Sequence, residues 1–161
     1  MGETRETQLE NLRNVKESYF KQLEGKIFTS VKCEKDERED TGYYDMFNDR
    51  IIFKNDEEEY ALIHMQDCCE GVYIEDVCGD LKDLENSPII KASCKYYSPE
   101  DPDDSDSSTW SFFTFATVKG YVDIRFYGSS NGYYSEGAGL YKKNTDEYGY
   151  QHYNMEFDKN E

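Results

Sequence analysis

Two periodicities divide the chain. Leu9, Leu12, Val15, Tyr19 and Leu23 recur at three- and four-residue steps with charged residues between them, the stripe of an amphipathic helix. Gly25 follows where such a helix stops, so the pattern predicts a helix over residues 4–24. Two placements fit this stripe: it packs on a sheet, or it meets a partner or a second copy. From Lys26 the period falls to two. Residues 27–31, 43–47, 50–54 and 60–65 read as short strands, with Asn48-Asp49 and Asn55-Asp56 as the turns of a meander. Residues 72–74 continue in extended form. Asp80 then caps a helical turn over residues 81–85, which closes before Ser87-Pro88. Residues 88–97 predict a further strand. Residues 110–118 and 121–127, joined across Lys119-Gly120, form the clearest hairpin of the chain, and residues 133–141 supply a last strand.

The fold class that follows is α+β and mostly β: an antiparallel sheet of hairpins with an N-terminal amphipathic helix and one short helical turn. Its parts are the helix over 1–24, a β-rich domain over 25–141 and a Tyr-rich tail over 142–161. Within the domain, residues 98–109 hold five acids and no base, the composition of a flexible acidic loop.

Composition changes this picture in one respect. A hydrophobic share of 37% against 33% charged residues leans towards disorder, but 16% aromatics, with 15 Tyr and 9 Phe among them, call for a core to hold them. At 161 residues there is room for one such core. Charge sets the class of partner. The net charge of −17, from 35 acidic and 18 basic residues, disfavours direct binding to nucleic acid, which draws its affinity from Lys and Arg on phosphates. It favours a metal ion or a basic protein groove, or serves solubility alone. Met1 to Lys16 has no apolar run of an export signal, and no later stretch has the length to span a bilayer. Five cysteines in such a chain are expected as reduced thiols or metal ligands, in the cytosol.

Candidate chemistry gathers at two places. His64, Cys68, Cys69 and Cys78, with Glu70, Glu75 and Asp76 nearby, offer the soft and borderline donors of a Zn²⁺ site, although the spacing is not that of a zinc knuckle. The same cysteines also suit a core as small apolar residues. Glu75 and Asp76 are expected to face apart on a strand, which denies them a shared acid–base role. No Gly-rich phosphate loop, nucleophile elbow or His-Glu-x-x-His is present, so the sequence points to binding and away from catalysis. The second place runs from Arg125 to Glu136. Here Gly128, Asn131 and Gly132 permit a tight turn. Arg125 with Tyr127, Asn131, Tyr133 and Tyr134 is able to hold an anionic ligand with a flat ring. The competing reading is a plain hairpin turn with Arg125 paired to an acid.

These strings carry a resemblance. His64-x-Gln66-Asp67-Cys68-Cys69-Glu70, the run Val72 to Leu81, Ser87-Pro88-Ile89, Trp110, Ala116 to Gly120, Arg125 to Gly128 and Ser130 to Glu136 resemble an uncharacterised domain family of bacterial and phage genomes, over residues 24–140. The resemblance implies a setting and no activity. In general character the chain is also similar to anti-CRISPR proteins, which place carboxylates where a nuclease's Lys and Arg would hold guide or target backbone. The leading expectation is therefore a phage or mobile-element protein that inhibits a nucleic-acid-binding host factor, such as a CRISPR effector nuclease. It would present Glu37, Asp40, Glu57, Glu58, Glu59, Asp101, Asp103 and Asp104 to that partner's basic groove. The alternatives are a small-molecule or nucleotide sponge around Arg125, and a zinc-dependent hydrolase at the Cys/His cluster.

Overall fold

Every second residue from 122 to 130 is buried, and the residues between are half-buried or exposed. That alternation is what an antiparallel sheet with one wet face requires. It recurs through most of the nine strands among the described residues: β1 Ser30–Glu34, β2 Arg50–Lys54, β3 Glu59–Ile63, β4 Gly71–Cys78, β5 Lys91–Tyr97, β6 Ser107–Thr117, β7 Gly120–Ser130, β8 Gly139–Thr145 and β9 Gln151–Asn154. The computed structural model describes residues 4, 7, 19–35, 49–66, 70–99, 106–131, 136–145 and 147–154. The expected mostly β, antiparallel fold is what it shows.

The strands form two sheets, one of order β1-β2-β3-β8-β9 and one of order β4-β7-β6-β5. Two local meanders, β1-β2-β3 and β5-β6-β7, grow by long-range pairing: β8 joins beside β3, and β4 joins beside β7. Their inner faces meet through aromatic rings, with Phe53 of β2 4.9 Å from Phe115 of β6. The chain before β1 closes one side of this core. Residues 19–21 are helical and a turn follows to Gly25, where φ is +89° and the left-handed region favours glycine. Phe20 stacks on Phe113 at 5.2 Å, and Tyr19 and Leu23 are buried. Of the helical stripe, these two residues pack into the core, while Leu9, Leu12 and Val15 lie outside the described residues.

The 3₁₀ turn Leu81–Leu84 is capped as expected, with the Asp80 side chain accepting from Lys82 N. Asn55 likewise builds its turn, accepting from the backbone N–H of Glu57 and Glu58. Several boundaries move. Ile27 and Phe28 make only isolated bridges, to Pro88 and Glu85, because the ladder with β2 begins at Ser30. The last predicted strand begins at Gly139, six residues later than its period suggested, since residues 136–138 are spent crossing between the sheets. The tail is not separate from the sheet over residues 142–154. It runs through β8 and returns as β9, where the Tyr153 hydroxyl donates to Glu59 at 2.7 Å. Burial and that bond push the Tyr153 phenol up to about 12. The strand predicted at 43–47 and residues 100–105 of the loop predicted at 98–109 lie outside the described residues, and residues 107–109 of that loop are instead paired in β6, which extends the hairpin with β7. No helix among the described residues is long and apolar enough to cross a membrane.

Candidate functional site

The inner face of the β4-β7-β6-β5 sheet is core, and its outer face carries three side-chain rows that run across the strands. The first is aromatic: Tyr97, Trp110, Tyr127 and Tyr73 are register neighbours on β5, β6, β7 and β4. Successive ring centroids stand 6.1, 4.9 and 5.8 Å apart, in tilted or edge contact. The second row is Lys95, Phe112, Arg125 and Asp76. The third is Ser93, Thr114, Asp123 and Cys78, in which the Thr114 hydroxyl donates to Asp123 at 2.6 Å. Tyr97 and the last two rows line a groove of about 730 Å³. That is within the usual range for a small-ligand site.

Arg125 is the one group lining this groove that holds a covered donor without an acceptor among the described residues. Its five N–H donors have one partner among the described residues, a 3.4 Å bond from Nη2 to Glu75 Oε1. Its Nε is covered and has no acceptor. Leaving a covered donor without an acceptor costs about 1–3 kcal/mol. Lys95 opposite forms no ion pair among the described residues, and Tyr97 is 58% exposed.

A bulge between Ile74 and Asp76 reshapes the acidic side of the groove. The expectation that Glu75 and Asp76 face apart fails here, because the extra residue restarts the alternation and both stand exposed on the outer face. Glu75 accepts from Trp110 Nε1 at 3.2 Å and from Arg125, so it ties the aromatic row to the cationic one. Asp76 sits opposite Arg125 in register. Asp49, 6% exposed, accepts from Ile74 N at 2.9 Å just before the bulge.

His64 belongs to a different region. Its Nδ1 donates to the Gly137 carbonyl at 2.8 Å, and its Nε2 lies 2.9 Å from Glu70 Oε1, with both side chains buried. Both ring nitrogens are therefore engaged. Cys78 is at the far end of β4, seven residues beyond Gly71, or roughly 20 Å away at about 3.3 Å per residue. His64 and Cys78 do not share a site, and Cys68 and Cys69 lie outside the described residues. Among the described residues no three His, Cys, Asp or Glu side chains converge as metal ligands.

Next to His64 the segment 136–138 is pinned by polar contacts. Glu136, 6% exposed, accepts from Ser107 at 2.8 Å, Thr109 at 3.0 Å and Ser130 at 2.5 Å. Tyr96 donates to the Ala138 carbonyl at 2.7 Å, and Ala138 N donates to Ser111 Oγ. Gly128 serves this packing and not a positive φ: a Cβ there would overlap the Glu136 carbonyl oxygen and the Val72 side chain. Much of the string from Arg125 to Glu136 thus holds the crossing between sheets. Arg125 lines the groove, Tyr127 stands in the aromatic row beside it, Asn131 is exposed just beyond β7, and Tyr133 and Tyr134 lie outside the described residues.

The acids expected to meet a basic partner divide. Glu58 is bonded to Lys26 at 2.8 Å and lies 3.6 Å from Lys142, and Glu59 is bonded to Lys143 and Tyr153. Partial burial works to raise both carboxyls, but these hydrogen bonds and charges outweigh it and hold them below the usual carboxylate range. Two of the eight acids are therefore spent inside the first sheet. Glu57 is exposed, and Glu37, Asp40, Asp101, Asp103 and Asp104 lie outside the described residues.

Sequence reasoning missed Tyr73, Asp76, Lys95, Tyr97, Trp110, Phe112 and Asp123 as neighbours of Arg125. Alternation along β5, β6 and β7 placed each on a common face, but only the strand order puts the faces side by side. The chain belongs to a domain family of unknown function, DUF7448, whose model matches residues 21–140. No curated protein and no solved structure matches it. All three rows lie within the matched span, and β9 lies outside it.

Proposed function

We propose that this DUF7448 domain is a binding module whose outer sheet face takes a small ligand with a flat ring and an anionic group, the chemistry of a nucleotide. One observation carries the reading: Arg125, with a single long hydrogen bond, stands in an open groove beside a row of four aromatic side chains. Aromatic faces stack on bases whatever their sequence, and a guanidinium fork suits phosphate. A net charge of −17 opposes a long polyanion more than a short ligand whose charge rests on Arg125 and Lys95. Inhibition of a basic host factor by surface acids, the leading expectation from charge, finds less support, since Glu58 and Glu59 are already paired.

Thermal denaturation with mononucleotides, nucleosides and sugar phosphates tests this. A ligand at a hundred times its Kd stabilises by about 2.7 kcal/mol, a shift of roughly 5 °C or more in a domain of this size. That shift is expected for nucleotides in the native chain and should fall to about half in Arg125→Ala. If no nucleotide moves the midpoint, the reading is abandoned.

A further inference from the structure

The order of charges along the second row says more about the ligand, on the premise that the groove holds a nucleotide. From β5 to β4 the row runs ammonium, ring, guanidinium, carboxylate: Lys95, Phe112, Arg125, Asp76. Three strand spacings of about 4.8 Å make it roughly 14 Å long. A ligand lying along it puts its anion near Lys95, its flat ring over Phe112 and the Arg125 plane, and its far edge at Asp76. The three carboxylates on this face differ in what they have left to offer. Both Glu75 oxygens are taken, by Trp110 and Arg125, and one Asp123 oxygen is taken by Thr114. Asp76 is exposed and has no hydrogen-bond partner among the described residues.

An ionised carboxylate only accepts, and it does so at two oxygens. Guanine presents two adjacent donors, N1–H and the N2 amino group. Adenine and cytosine set a lone pair beside their amino group, and uracil has one donor between two carbonyls. We infer that the groove selects guanine mononucleotides, with Asp76 reading the base edge, Phe112 and the Arg125 plane stacking on the base, and Lys95 meeting the phosphate.

Calorimetric titration of the full chain with GMP, IMP and AMP tests the assignment. GMP is expected to bind roughly tenfold or more tightly than AMP, as a bidentate contact discriminates. IMP, which lacks the N2 amino group, should fall between. Asp76→Asn, at an exposed position, should bring the GMP-to-AMP ratio to about one while AMP affinity is kept. Asp76→Ala should do the same. If native protein binds AMP as well as GMP, the guanine assignment is overturned and the nucleotide groove stands. If no nucleotide binds, both fall. A guanine-containing tetranucleotide that binds more tightly than GMP overturns the restriction to free nucleotides.

Discussion

Around His64 and Glu136 the polar side chains that the family strings contribute are buried and answered. His64 uses both nitrogens, and Glu136 collects three hydroxyls. On the outer face of the β4-β7-β6-β5 sheet, Arg125 has one long bond for five donors and Asp76 has none among the described residues. Both regions draw on the string from Arg125 to Glu136, yet one is finished by the fold and the other is left open to solvent. A buried polar group without its partner costs about 1–3 kcal/mol, so saturation is the rule for a structural part and the covered Arg125 Nε is an exception to it. Open valences persist only where water, or something that replaces water, can reach them.

The contrast breaks most sharply at the buried pair. Glu70→Ala leaves His64 Nε2 without its partner in a dry site and should cost about 1–3 kcal/mol of stability, read from the denaturant midpoint. It should leave ligand affinity at the groove unchanged in the protein that still folds. Equal losses of both would merge the two regions into one.

Phe112→Ala, at the ring that lines the groove, works the other way. Loss of a stacking surface should weaken the ligand by about 1–3 kcal/mol in titration. Arg125→Ala should cut affinity roughly tenfold and shift stability by no more than about 0.5 kcal/mol, because its ion pair with Glu75 is exposed and long. A large loss of stability in Arg125→Ala would make that residue structural.

The smallest effects come from the first sheet and are read against pH. Glu58 and Glu59 are held below the usual carboxylate range in the folded state, so their pairs stabilise above an unfolded value of about 4.5. That contribution is lost as pH falls through the lower folded values. For the Tyr153 phenol, raised to about 12, the sign reverses. Its bond to Glu59 stabilises below the ordinary value of 10 and is lost as pH rises towards 12. Glu59→Gln should flatten both arms of a stability–pH curve. Unchanged arms would mean that these surface pairs contribute nothing.

Much of the fold is legible along the chain itself. Period-two alternation marks β2, β6 and β7, Asp80 and Asn55 announce their turns, and alternation sets Arg125 and Tyr127 on one face of β7. These are local properties, set by pleat, propensity and turn chemistry within a few residues. What stays hidden is non-local. The pairing of β4 with β7 and of β3 with β8 depends on inner-face packing across two sheets. The bulge at Ile74/Asp76, beside the bond from Ile74 N to Asp49, turns two acids expected to part onto one face. His64 and Cys78, fourteen residues apart in sequence, are separated by the length of a strand. The sequence by itself determined which side chains share a face wherever a strand alternates without a bulge, because that follows from backbone geometry alone. Only the tertiary structure decided which strands lie side by side, and so which of those faces together make a groove, because that choice rests on burying the most apolar surface at once.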